Sequence, residues 1–285
     1  MADIEIAYRS IVRCINERRW EELPRYMHSH FVKDGQDFTA EDYIAEMRKT
    51  GDVELTIDAV TVDKSQQCMG AAVFVRFKPA SVDAGDAAIP GKTISFAEQS
   101  INWFTDGKLS KTFTVADYLE MQRQLSNPDA RYTPDPITEE ENPPRGSLDG
   151  GLSALELEST YRAYCDCVNE KRMETDLHKF LHPQTVFNAE TLTEEGYRHM
   201  VQSLFEAIPD LDLSISTIVV DERAQRVAAR IAINGTPTDT LAGVKPNGGA
   251  VSTHEHVTYR FEKGRIARVW SIVDWASYTE QQMSN

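Results

Sequence analysis

Two aspartates, Asp117 and Asp274, end strand-like segments in which an aromatic residue stands four positions earlier. The aromatic residues are Phe113 and Trp270. Because alternate residues of a strand face the same side, each aspartate shares a face with its aromatic residue. A carboxylate held beside an aromatic ring in an apolar cavity has a raised pKa, which suits a general acid or base near neutral pH. The alternative is that Asp274 only caps the last strand and makes local hydrogen bonds.

A second carboxylate precedes each of these aspartates. Glu255 alternates with Val257, Tyr259 and Phe261, so these four side chains share one face of a predicted strand. Glu98 holds the corresponding position earlier in the chain. A pair formed by Glu255 and Asp274 would let one carboxyl hold a proton while the other accepts one.

Neither histidine nor cysteine spacing predicts a metal site. His254 and His256 project from one face of the same strand as an HxH pair, but no third ligand with suitable spacing follows. Cys165 and Cys167 lack the companion ligands of a zinc site, and four cysteines in 285 residues are too few for a disulfide framework. We therefore expect no metal and no structural disulfides.

Composition narrows the class of protein and of partner. The hydrophobic fraction of 41% and the charged fraction of 26% are ordinary for a globular chain. A net charge of −15 would repel nucleic acid and anionic membranes. No segment has the roughly 18 apolar residues of a membrane helix, and the first residues do not resemble a signal peptide. We expect a soluble, cytoplasmic protein whose partner is a small molecule.

An internal repeat organises the chain into two copies. The segment Tyr8–Arg19 matches Tyr161–Arg172, and Thr39–Tyr43 matches Thr193–Tyr197. Towards the end of each copy, Phe104–Leu109 matches Phe261–Ile266, with Asp117 and Asp274 following. A proline-rich, acidic stretch separates the copies and is typical of a linker. The predicted domains are residues 1–125 and 153–285, with a linker over residues 126–152.

Each copy has the periodicity of helices followed by strands. Apolar spacing predicts opening helices over Ile6–Trp20 and Leu155–Met173, and Thr39 and Thr193 are placed to cap a second helix. Later segments alternate with period two, and Asp106-Gly107 and Lys263-Gly264 predict hairpin turns. Helices that precede a mostly antiparallel sheet must pack on one of its faces. Each copy is therefore predicted to be an α+β domain whose curved sheet surrounds a pocket.

The run Val257–Asp274 resembles the carboxy-terminal signature of the SnoaL-like polyketide cyclase family. Its features are a hydrophobic-Arg-Phe-acid-x-Gly-basic-Ile strand turn, then Trp270 and Asp274. The first copy matches more loosely, with Phe113 in place of the tryptophan. That family has the cone fold of nuclear transport factor 2, so the resemblance implies two α+β cones. It also implies that the copies form an intrachain pseudo-dimer.

In this family the face that carries the tryptophan and the aspartate lines the cone, and the aspartate moves a proton on the substrate. The resemblance thus implies catalytic roles for Asp274, Glu255 and Asp117, with the second copy as the active one. Val257 departs from the pattern, since several members have His or Asp there. The remaining candidates for contact with substrate are Trp270, Tyr259, Val257, Tyr161, Tyr164, Phe187, His199, Phe113 and Glu98.

The predicted function is a cofactor-independent cyclase, isomerase or dehydratase of secondary metabolism. Its substrate would be a small, apolar, oxygenated metabolite such as a polyketide or terpenoid. Two alternatives stay open at this point: an epoxide-type hydrolase, and a binding or scaffold protein that kept the cone and lost the chemistry. An open cavity would favour an enzyme, and a cavity filled by large side chains would favour a scaffold.

Overall fold

A computed structural model describes residues 3–79, 92–127, 129–132 and 151–284. The chain divides into two compact units, Met1–Pro136 and Ile137–Asn285. Most of the predicted linker, residues 126–152, lies outside the described residues. The domain boundaries 1–125 and 153–285 and the pseudo-dimer stay predictions.

The first unit holds three helices and six strands among its described residues. A short 3-10 turn, Trp20–Arg25, follows the first helix. In chain order the elements are α1 Ile4–Asn16, β1 Met27–Lys33, β2 Gln36–Thr39, α2 Ala40–Thr50, β3 Gly51–Asp63, β4 Cys68–Pro79, β5 Ile94–Thr105, β6 Lys108–Ala116 and α3 Tyr118–Ser126.

The second unit has the same order of strands, with one additional short helix in its described part. In chain order its elements are α4 Ala154–Asn169, α5 Met173–Asp176, β7 Leu181–Phe187, β8 Glu190–Thr193, α6 Glu194–Ala207, β9 Asp212–Asp221, β10 Arg226–Gly235, β11 Val251–Glu262, β12 Arg265–Val273 and α7 Trp275–Met283.

Each unit contains one six-stranded mixed sheet. The strand orders are β2-β1-β6-β5-β4-β3 and β8-β7-β12-β11-β10-β9. All neighbours are antiparallel except β1 with β6 and β7 with β12, which are parallel. Opening helices α1 and α4 pack against their sheets through buried residues such as Ile11, Tyr161 and Val168. The predicted fold class, two α+β cones, is confirmed.

Local signals in the sequence account for several element ends. Thr39 Oγ1 accepts a hydrogen bond from the Asp42 amide at 3.0 Å, and Thr193 Oγ1 accepts one from the Gly196 amide at 3.1 Å. The two threonines thus cap α2 and α6, the helices that follow the second strand of each unit, and the predicted caps are present. The opening helices end earlier than the periodicity indicates, at Asn16 and Asn169. The sequence pattern does not predict helices α3 and α7.

Both predicted hairpin turns are present. Asp106 and Gly107 have φ of 52° and 75°, and Lys263 and Gly264 have 50° and 78°. Two consecutive positive φ values are typical of the tight turns that connect antiparallel strands.

A β-bulge follows the second of these turns. Phe261 lies opposite Ile266, but Arg260 lies opposite Arg268, so Ala267 is an extra residue in β12. Beyond the bulge Val257 lies opposite Ser271 instead of Trp270. Because a shift of one residue exchanges the two faces of a strand, the bulge decides which side chains of β12 point inward. A matching shift between Trp103 and Phe104 affects β6.

No helix in the described part of the chain is long and apolar enough to cross a membrane.

A test of the tight packing at the end of β10 uses Gly235. Its φ is +156°, and a Cβ there would lie 2.4 Å from Ile208 Cγ2. We expect Gly235→Ala to lower the free energy of unfolding by about 1–3 kcal/mol, measured by chemical denaturation. Gly196→Ala in α6 is the matched control, because its Cβ would make only ordinary contacts and alanine favours helix. A Gly235→Ala variant as stable as the wild type would contradict this packing.

Candidate active site

The second unit encloses a cavity of about 340 Å³ between its concave sheet face and the helices α4 and α6. Its walls are mainly aliphatic and aromatic. The lining residues are Tyr161, Tyr164, Cys165, Val168, Phe187, Asn188, Tyr197, Met200, Val201, Ser203, Leu204, Ile208, Leu211, Leu213, Ile215, Ile231, Ile233, Leu241, Thr253, Glu255, Tyr259, Ser271, Val273, Trp275 and Tyr278.

Glu255 is the single acidic residue that the described lining contains, and that lining has no Lys, Arg or His. It projects from β11 between Ile231 on β10 and Val273 on β12. Removal from water raises the pKa of Glu255 to about 6, although a hydrogen bond from Ser271 works in the opposite direction. The site therefore holds one carboxyl that titrates close to neutral pH.

A group of tyrosines surrounds this carboxyl. The hydroxyls of Tyr164 on α4 and Tyr197 on α6 are joined by a hydrogen bond of 2.7 Å. The ring of Tyr259 lies 4.9 Å from that of Tyr161 and 5.8 Å from that of Tyr164, between centroids. Burial raises the pKa of all four hydroxyls, so they stay protonated near neutral pH. Since each hydroxyl carries one proton, the acceptor in the Tyr164–Tyr197 pair keeps a proton to donate elsewhere.

Two further polar residues, Ser271 and Asn188, form a chain of hydrogen bonds that ends at Glu255. Ser271 Oγ donates a hydrogen bond of 2.5 Å to Glu255 Oε1. Asn188, in the turn between β7 and β8, accepts from the Ser271 amide at 2.8 Å and donates to the Ser271 carbonyl at 3.2 Å. The backbone N–H of Asn188 donates a hydrogen bond to the Val269 carbonyl at 2.8 Å. The turn is thus attached to β12 at the residue that contacts Glu255.

Most of the predicted pocket residues of the second copy meet in this cavity. Glu255, Tyr259, Tyr161, Tyr164 and Phe187 all line it. Val257 lies on the same face of β11 as Glu255 and Tyr259, but its side chain is 1% exposed and belongs to the hydrophobic core. It does not line the cavity.

The predicted inward direction of Trp270 and Asp274 is wrong, and the bulge at Ala267 is the reason. Trp270 lies opposite Thr258 on the other face of the sheet, with its ring centroid 4.7 Å from the Arg268 guanidinium. Asp274 lies at the start of α7, where its Oδ1 accepts a hydrogen bond from the Ser277 amide at 2.9 Å. Local capping, the alternative for Asp274, is what the geometry shows, although the capped element is a helix.

His199 is also placed differently from the prediction. It is exposed on α6, whereas Tyr197, Met200, Val201 and Leu204 face the cavity. These four positions follow helical spacing, and His199 falls outside their stripe.

The first unit places its corresponding residues in the same way. Asp117 caps α3 through a 3.1 Å hydrogen bond from the Glu120 amide, and burial raises its pKa. Phe113 packs edge-on against Trp103 with 5.9 Å between ring centroids, on the face opposite Glu98. The inward direction predicted for Phe113 and Asp117 is therefore wrong for the same reason, a register shift after the turn. Burial and the nearby charge of Asp34 raise the pKa of Glu98 to about 7.

The histidine pair and the cysteines form no metal centre in the part of the chain that the structure describes. No cluster of three or more His, Cys, Asp or Glu side chains in these residues could hold an ion. His256 is 1% exposed and lies on the face away from the cavity. Cys165 lines the cavity, but burial raises the pKa of its thiol to about 12. That thiol is therefore neutral near pH 7.

Sequence reasoning missed several lining residues, of which Ser271, Asn188 and Tyr197 contribute polar groups. Tyr197 could have been found, because it precedes Val201 and Leu204 at helical spacing. Ser271 could not have been found, because the face of the sheet on which its side chain lies depends on the bulge in β12. Asn188 gave no periodic signal, because it lies in a turn with φ of 50°.

Comparison with known proteins places this site in a family. Residues 158–282 match the model of the SnoaL-like polyketide cyclase family. A search of curated proteins gives no match.

Solved structures provide further relatives. A SnoaL-like polyketide cyclase from Agrobacterium tumefaciens is 34% identical, with 44% of this chain and 96% of that chain covered and a TM-score of 0.42. TsrD from Streptomyces laurentii is 21% identical, with coverages of 47% and 98% and a TM-score of 0.42. IdmH from Streptomyces antibioticus is 22% identical, with coverages of 45% and 99% and a TM-score of 0.40.

The family match covers the unit that contains the cavity, and the 34% identity extends over nearly all of the Agrobacterium protein. Such membership supports, in general terms, a cyclase-type enzyme with a small-molecule substrate. The chain belongs to the SnoaL-like polyketide cyclase family.

Proposed function

We propose that the second unit is a cofactor-independent cyclase-type enzyme in which Glu255 removes a proton next to a substrate carbonyl. The observation that carries the proposal is the position of Glu255 as the one acid in the described lining of an otherwise uncharged cavity. Its pKa of about 6 leaves it mostly ionised at pH 7 and still basic enough to accept a proton.

The tyrosine hydroxyls supply the second requirement of this chemistry. Proton removal next to a carbonyl places negative charge on the carbonyl oxygen, and a preorganised donor in a water-poor site stabilises that enolate. The free proton of the Tyr164–Tyr197 pair is such a donor. The enolate carbon then attacks a second carbonyl to close a ring, or the double bond shifts, or water leaves. In each case protonated Glu255 returns the proton to an oxygen or a carbon.

The cavity also favours a substrate class. Its walls are mostly apolar, with scattered hydroxyl and amide groups and no basic side chain in the described lining. Binding an anion beside the Glu255 carboxylate would cost electrostatic energy that no neighbouring cation offsets. An uncharged, oxygenated, largely apolar molecule fits, which agrees with a polyketide- or terpenoid-like metabolite of secondary metabolism.

A non-catalytic binding protein is the second candidate, because the cavity is open enough to take a ligand whether or not chemistry follows. An epoxide-type hydrolase, with Glu255 activating water, is a third. The cavity size favours a ligand site over a purely structural cone.

The first test measures proton removal directly. An aromatic β-keto ester in deuterated water serves as the probe, and NMR follows deuterium entry at the carbon next to the ketone. We expect Glu255→Gln to lower the exchange rate by about 100-fold or more, because the amide cannot accept the proton. Asp274→Asn is the matched control, since asparagine caps a helix as well as aspartate does. Loss of exchange in Asp274→Asn with full exchange in Glu255→Gln would contradict the proposal.

Stability as a function of pH gives a second test of the charge on Glu255. The folded pKa, about 6, exceeds the ordinary value of 4.5, so the folded state binds the proton more tightly than the unfolded state. Burial of the ionised group therefore destabilises the fold above about pH 6, and this cost disappears below about pH 4.5. We expect Glu255→Gln to be more stable than the wild type by about 1–2 kcal/mol at about pH 8.

The measurement is the denaturation midpoint of both proteins at several pH values. The difference should shrink towards zero as the pH falls through the range in which Glu255 becomes protonated. A difference that is independent of pH would show that the carboxyl is not buried in its ionised form.

A further inference from the structure

The same pair of hydrogen bonds joins the turn between the first two strands to the last strand in both units, through Asn188 in one unit and Asp34 in the other. In the second unit the backbone N–H of Asn188 donates a hydrogen bond to the Val269 carbonyl at 2.8 Å. The side-chain Oδ1 of Asn188 accepts one from the backbone N–H of Ser271 at 2.8 Å. In the first unit the backbone N–H of Asp34 donates a hydrogen bond to the Thr112 carbonyl at 2.9 Å. The side-chain Oδ1 of Asp34 accepts one from the backbone N–H of Thr114 at 2.8 Å.

Asn188 and Asp34 also share their backbone conformation and their place in the fold. Each has a positive φ, 50° and 51°, in the turn between the first two strands of its sheet. Asn and Asp are enriched in this region of φ, because their short side chains bond locally. The backbone geometry is therefore the same, and the two residues differ in charge and in the hydrogen bond that Asn188 Nδ2 donates to the Ser271 carbonyl at 3.2 Å.

The two units also differ in the hydrogen bonding and the pKa of the nearby glutamate, Glu255 in the second unit and Glu98 in the first. Glu255 accepts a hydrogen bond from Ser271 Oγ, whereas in the described residues no hydrogen bond reaches the carboxyl of Glu98. The charge of Asp34 raises the pKa of Glu98, against the opposite effect of Lys33, whereas no acidic neighbour among the described residues raises the pKa of Glu255. The pKa values follow this pattern, about 7 for Glu98 and about 6 for Glu255.

We propose that Asn188 and Ser271 are positioning residues for Glu255. Asn188 fixes the backbone of β12 at Ser271, and the Ser271 hydroxyl holds Oε1, so that Oε2 is presented to the cavity as the proton acceptor. Across the described residues, no side chain donates a hydrogen bond to Oε2. The neutral side chain of Asn188 accepts the same backbone hydrogen bond as Asp34 and donates a second one to the Ser271 carbonyl, without adding a negative charge near the carboxylate.

The other titratable groups that face Glu255 do not compete for this role. They are the hydroxyls of Tyr161 on α4, Tyr197 on α6 and Tyr259 on β11, and the thiol of Cys165 on α4. Burial raises the pKa of each of them, so all four are neutral near pH 7. The charge state of Glu255 is therefore governed by its own burial and by the Ser271 contact.

The test is a carbon-13 NMR titration of the glutamate carboxyls in the full chain, with Glu255 identified as the signal that Glu255→Gln lacks. We expect Ser271→Ala to raise the pKa of Glu255 by about 1, because a hydrogen bond to the ionised form is lost. Ser203→Ala is the control, because it removes another hydroxyl of the cavity lining, one that bonds the Met200 carbonyl and not Glu255, and it should titrate like the wild type. Asn188→Asp should also raise the pKa, because it reproduces the charge that Asp34 places beside Glu98.

An unchanged titration midpoint in Ser271→Ala would overturn the proposal, as would an unchanged midpoint in Asn188→Asp. Circular dichroism confirms folding, and if Ser271→Ala does not fold, the Asn188→Asp measurement decides alone. This inference rests on the proposed role of Glu255, but the titration needs no turnover. Full deuterium exchange in Glu255→Gln would refute that role, whereas unshifted midpoints would refute only the positioning by Asn188 and Ser271.

Discussion

The extra residue at Ala267 in β12 determines the chemistry available to the cavity of the second unit. It reverses the alternation of the strand beyond the hairpin, so that Val269, Ser271 and Val273 face inward and Trp270 faces outward. With that register, a hydroxyl comes within hydrogen-bond distance of Glu255. Without the bulge an indole and an isoleucine would occupy this wall, and the Ser271 hydroxyl would face away from Glu255.

The proposed role of Glu255 as a base depends on the contrast between its charge and its apolar surroundings. Aliphatic and aromatic walls remove water and raise the pKa of Glu255, while the hydrogen bond from Ser271 lowers it. The protonated tyrosines of α4 and α6 line the same cavity and offer hydrogen-bond donors. A base and a hydrogen-bond donor that face a shared apolar space are the minimum that enolate chemistry needs. Family membership is consistent with this arrangement.

Local signals in the sequence are sufficient for the fold, but only partly for the site. The threonine caps, the turn glycines and the alternation of Glu255 with Tyr259 depend on neighbouring residues, and the sequence predicts each of them correctly. The direction of Asp274 escapes prediction, because it depends on a single-residue bulge that leaves no composition signal. The role of Asn188 depends on a contact 83 positions away with Ser271, which periodicity cannot reveal.

In the proposed mechanism the cavity carboxyl Glu255, and not the helix cap Asp274, accepts the substrate proton. The most direct measurement is the pH dependence of deuterium exchange into an enolisable β-keto ester. With Glu255 as the base, we expect a wild-type rate that rises with pH around a midpoint near 6, the pKa of Glu255, and levels off above it. The same pH dependence at an undiminished rate in Glu255→Gln would show that Glu255 is not the proton acceptor.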